Sequence, residues 1–172
     1  MVMQRLVFAV AALLAAGCAP PPADGAAPTA RRSDFAAVLA APGACHARSY
    51  DDAHLAAHPQ QTVTRFFLGD PGAEWRTQQT PPQFNVAFGF QLKGHADTYS
   101  AVAICTSVGD GAACDIEGDG GHFSVRPSGE DLRVEVTRIE VEGPNDFSPD
   151  LAQADNHVLL LHAAAASDCP AL

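Results

Sequence analysis

Seven histidines and twenty acidic residues are the groups from which this 172-residue chain would have to build a reactive site. His54 and His58 are four apart, so on a helix both imidazoles share one face and are able to hold a Zn²⁺ or Cu²⁺ together. His46 and Asp51 are near enough in sequence to complete such a site. A plainer account also fits, because a histidine in the last turn of a helix is favoured by the helix dipole. The His-Glu-x-x-His arrangement of metalloproteases is missing. Asp110, Asp115, Glu117 and Asp119 offer hard oxygen ligands separated by glycines, a composition that suits Ca²⁺. Their spacing is not that of an EF-hand loop, and solvated turns use the same residues. His122, beside Gly120-Gly121, is a candidate proton shuttle. No Gly-x-Ser-x-Gly, Ser-x-x-Lys or glycine-rich phosphate loop occurs. Glu74 or Asp97 would need a second carboxylate at a set distance to cleave a glycosidic bond. These residues favour a non-enzymatic binding module, with two rivals. One is a Zn- or Cu-binding envelope protein using His46, His54 and His58, and the other is a small hydrolase. No catalytic residue is assigned, and no cofactor is expected beyond a Zn, Cu or Ca ion at those two clusters.

Any such site must be carried by strands. From Phe84 to Leu92 every even position is large and apolar, and every odd one is polar or small. This period of two predicts a β-strand with one buried face. Thr62 to Leu68, Thr98 to Thr106, Cys114 to Glu117, His122 to Arg126, Leu132 to Val141 and Asn156 to His162 read as further strands, with turn signals about every ten residues. The apolar phase slips between Val136 and Ile139, which predicts a bulge, or a break between two strands, near Thr137-Arg138. Phe35 to Ala41 and Ala53 to Ala57 read as short helices, the second capped at Ser49. The expected fold is mainly β: a small antiparallel meander barrel, or a curved sheet or sandwich, of about 7–8 strands. One or two short N-terminal helices pack on one end or edge. Phe84, Phe88 and Phe90 would fill its core, with a hollow ligand-holding barrel as the alternative.

The N-terminus predicts export. Arg5 precedes an apolar run, Leu6 to Ala16, too short for a permanent membrane span. It fits a signal peptide over residues 1–17. Leu14-Ala15-Ala16-Gly17-Cys18 resembles the lipobox of bacterial lipoproteins, which implies lipidation of Cys18 and anchoring to the envelope, with Ala19 favouring the outer membrane. Cleavage with release as a soluble secreted protein is the alternative. Residues 18–33, rich in Pro and Ala, read as a tether, and 34–172 as a single β-rich domain. Without residues 1–17 the chain loses Arg5 alone, so nine bases face twenty acids, a formal charge of −11. That charge disfavours nucleic acid and anionic lipid, and is compatible with divalent cations or a basic partner protein. Four cysteines then remain, and in an exported chain an even number predicts two disulfides. Cys105–Cys114 across a local hairpin and Cys45–Cys169 between the ends of the fold are the favoured pairs.

Tyr50 to Val63, Cys105, Cys114, Asp119 to Phe123 and Asp155 to Val158 together resemble a group of small exported bacterial β-rich proteins. The resemblance spans most of residues 45–169. It implies one compact exported domain and brings no activity with it. Inhibitors of hydrolases also use small disulfide-bonded β-barrels, so inhibition is one form a binding module could take.

Overall fold

Eight antiparallel strands, each paired with its neighbour in sequence, close into a barrel in a computed structural model that describes residues 35–170. The expected signal peptide, Cys18 and the tether lie outside the described residues. The strands are β1 (Cys45–Ser49), β2 (Val63–Gly69), β3 (Gln83–Leu92), β4 (Thr98–Val108), β5 (Gly111–Ile116), β6 (Gly121–Ser128), β7 (Asp131–Ile139) and β8 (Val158–Ala163). The circle closes where His46 and Ala47 of β1 pair with Ala163 and His162 of β8.

The alternation in β3 sets the inside. Phe84, Val86, Phe88, Phe90 and Leu92 all belong to one buried cluster. Phe66 of β2 stacks near Phe88 and Phe90, with ring centroids 6.3 Å away in each case. Phe123 meets Phe88 edge-on at 5.5 Å, and Tyr99 stacks on Phe90 at 5.3 Å. These rings and the aliphatic side chains around them form one buried cluster, and an eight-stranded barrel has an interior of a size that side chains can fill. The small odd positions of β3 also have a reason. A Cβ on Gly89 would come within 2.4 Å of the Phe67 ring. Phe67 therefore covers the outer side of β3 while its neighbours Phe66 and Leu68 fill the inside.

Outward positions carry polar groups: Asp115 on β5, Arg126 on β6, Arg133 and Glu135 on β7. This polarity is the reverse of a barrel that spans a membrane, whose outer band is apolar. The register of β6 on β7 shifts where His122 faces Arg138 and Phe123 faces Val136. Thr137 is the extra residue, which is the bulge expected there.

The short helices close both ends of the barrel, where the sequence placed them on one. α1 (Phe35–Leu39) leads into β1 and inserts Phe35 and Leu39 into the core. α2 (Asp52–Ala57) leaves the other end of β1 and inserts Leu55. Its cap is Asp51, which accepts from the His54 amide at 2.8 Å, and not Ser49, which ends β1. α3 (Ala73–Arg76) lies in the β2–β3 connection. β1 itself was not expected; five residues of mixed polarity carry little alternation. β4 and β5 are joined by a two-residue turn, Gly109-Asp110, where Gly109 has φ +64°.

Both expected disulfides are present. Cys105 and Cys114 face each other across β4 and β5, with a Cα separation of 3.9 Å. Cys45 and Cys169 join the first strand to the tail, with a Cα separation of 5.7 Å. Two disulfides indicate folding in an oxidising, non-cytoplasmic compartment.

Asn156 locks the return to β8. Its Oδ1 accepts from the amides of Thr62 and Val63 at 2.9 and 3.0 Å, and its Nδ2 donates to Thr62 Oγ1 at 2.8 Å. The side chain is buried. Asn156→Ala leaves two amides without an acceptor and is expected to cost about 2–3 kcal/mol in denaturant unfolding. A cost below about 0.5 kcal/mol, typical of a surface change, would contradict this role.

Candidate functional site

A groove of about 630 Å³ lies across the outer wall of β3, β4 and β5. Its apolar floor comes from Val102 and Ile104, outward on β4. Trp75 of α3 forms one side, and Val141 and Phe147 form the other. Phe147 is 59 % exposed, an uncommon state for a phenylalanine. Asn85 lines the same groove. It is 2 % exposed, and its Nδ2 donates to the Trp75 carbonyl at 2.9 Å. Its Oδ1 has no hydrogen-bond partner among the described residues.

The groove exists because neighbouring strands differ in length. β4 pairs with β3 from Thr98 to Thr106, but with β5 only from Ala103 onward, because β5 ends at Ile116. The Ser107 amide donates to the Pro82 carbonyl, so odd residues of β4 turn their backbone groups toward β3. Even residues turn theirs the other way. Thr98, Ser100 and Val102 thus present N–H and C=O groups to a place where no strand runs among the described residues. Opposite them, the chain continues past β7 through Glu140, Val141 and Glu142. It is held there by Glu140 N–H to the Gly120 carbonyl at 3.0 Å and by Val141 N–H to Ser148 Oγ at 3.1 Å.

The rim is acidic. Glu117, Asp119, Glu140 and Glu142 line the groove with a single cation, Arg138. Arg138 pairs with Glu140 at 3.3 Å, which leaves the other three carboxylates without a cation among the described residues.

Asp70 positions the Trp75 side. Its carboxylate accepts from the amides of Gly43 and Gly72, at 2.9 and 2.8 Å, and from the Arg76 guanidinium. Partial burial opposes the charge, but these donors outweigh it and hold the carboxyl below its ordinary pKa. The unfolded chain therefore takes up the proton first as pH falls. The stabilisation is complete above about pH 4 and is lost as pH drops through the folded value. Trp75 is the sole tryptophan and reports on this directly. Its emission is expected to shift when the wild type is acidified below about pH 4, and to be shifted already at pH 7 in Asp70→Asn. Identical emission of the two proteins at pH 7 would contradict the role given to Asp70.

The residues singled out for metal chemistry do not assemble. His46 sits at the start of β1, whereas His54 and His58 lie on and after α2, beyond its other end. His54 and His58 stack with ring centroids 4.5 Å apart, and His54 Nε2 bonds Gln61 Oε1 at 2.9 Å. Burial holds the His46 imidazole below its ordinary pKa. Asp110 is in the β4–β5 turn, while Glu117 and Asp119 are in the turn at the opposite end of β5. Asp115 faces His122 across β5 and β6. Among the described residues no three His, Cys, Asp or Glu side chains are grouped to hold a metal ion. Glu74, on α3, and Asp97, in the β3–β4 turn, lie at opposite ends of β3. The sequence did not single out the groove. Glu117 and Asp119, singled out as cation ligands, line its rim, and Val102 and Ile104 are apolar on the outward face of β4. Compared with known proteins, the chain matches no family model, no curated protein and no solved structure.

Proposed function

We propose that the protein is a bacterial cell-envelope lipoprotein, moored through Cys18, whose barrel is a non-enzymatic binding module that holds a partner protein in the outer groove. The observation that carries this reading is the groove itself: an apolar floor with an exposed Phe147 and a buried, unsatisfied Asn85 Oδ1, inside an acidic rim. Unsatisfied buried acceptors and exposed aromatics are costly in an isolated protein and are relieved by a partner. A packed interior leaves the outer wall as the place for contact. The test is site-specific photo-crosslinking in intact envelopes, with the reactive group placed at Val102 or, as a control, at exposed Glu135. Adducts of one size from Val102 and none from Glu135 are expected. The same adducts from both positions, or none from either, overturn the reading. Cys18→Ser is expected to move the protein from the detergent phase to the soluble periplasmic fraction.

A further inference from the structure

We propose that the groove takes an extended, positively charged stretch of a partner protein, which adds as a further strand along the free edge of β4. This inference rests on the binding-module reading and names what the module holds. Three facts converge on it. The backbone groups of Thr98, Ser100 and Val102 face the groove with no strand beside them among the described residues. Main-chain pairing with such an edge gives affinity for any extended peptide. The floor at Val102 and Ile104, with Trp75 and Phe147 at the sides, accepts apolar side chains from alternate residues of that peptide. The uncompensated Glu117, Asp119 and Glu142 select lysine or arginine at the positions between.

Charge also decides against a second copy of this chain as the occupant. An open edge ordinarily invites self-pairing, and charged neighbours are a common defence against it. Here the whole chain carries a formal charge of −10, and pairing groove to groove would bring like charges together. A basic segment meets the same groove with attraction.

The test uses the mature, disulfide-bonded protein and three synthetic peptides: Val-Arg-Val-Arg-Val-Arg, the same peptide N-methylated at alternate residues, and Val-Glu-Val-Glu-Val-Glu. Binding is read by calorimetry and by amide chemical shifts. The expected result is saturable binding of the arginine peptide with shifts at Ser100 and Val102. N-methylation on the edge-pairing side weakens it about tenfold or more. So does the exposed double variant Glu117→Lys/Glu142→Lys, and the glutamate peptide does not bind. Equal binding of the N-methylated and parent peptides would overturn strand addition while leaving the groove a docking surface. Equal binding of the acidic and basic peptides would overturn the charge selection. No saturable shift at residues 98–102 with any peptide would overturn the inference outright, and the crosslinking result then decides separately whether the groove binds anything.

Discussion

Phe88→Ala is expected to lower the unfolding free energy by about 4 kcal/mol. Phe88 is fully buried and its ring meets both Phe66 and Phe123, from β2 and β6. Removing it deletes apolar surface and leaves a void that a closed wall of eight strands cannot collapse to fill. The measurement is urea unfolding, in which the midpoint falls and the slope stays constant. Phe147→Ala is the matched control. Its ring is 59 % exposed, so a change within about 0.5 kcal/mol is expected. A loss below about 1 kcal/mol at Phe88 would mean that the aromatic cluster does not hold the barrel together.

The second large effect belongs to the Cys45–Cys169 bridge. Its partners are 124 residues apart, against 9 for Cys105–Cys114. In the chain-entropy account the long closure contributes about 5 kcal/mol and the short one about 2.5 kcal/mol. Domains of this size are commonly stable by about 5–15 kcal/mol in all. Cys45→Ala/Cys169→Ala is therefore expected to leave a barrel that is marginal at growth temperature. Cys105→Ala/Cys114→Ala, which keeps small apolar groups at two buried positions, should remain folded. Calorimetric melting of the two double variants tests the ranking, and a larger loss from the short bridge would reverse it.

What the sequence displayed follows from where its signals are strong. β3 was legible because ten residues alternate without error, and the bulge at Thr137 because the apolar phase visibly slips. The disulfides followed from the hairpin between Cys105 and Cys114, which left Cys45 and Cys169 for each other. β1 was hidden because its burial comes from closing the barrel against β2 and β8, a long-range event that a five-residue pattern cannot announce. α3 was hidden for a similar reason. Four residues have no periodicity, and what fixes them is the contact from Asp70 to Gly72 and Arg76. The histidine spacing misled because two imidazoles on one helix face are as well served by stacking as by a metal. The groove was illegible because it arises from a difference in strand length between β4 and β5, and no single stretch of residues encodes a difference.

The unpaired edge of β4 is the feature on which the functional account turns, and it is open to observation without any ligand. Residue-resolved amide hydrogen exchange of the free protein under native conditions reads it directly. Ser100 and Val102 should exchange quickly, while Tyr99, Ala101 and Ala103, whose amides point to β3, and Ile104, whose partner is Asp115, should be protected by orders of magnitude. Uniform strong protection from Thr98 through Ile104 would show that the edge is already satisfied and would contradict the account.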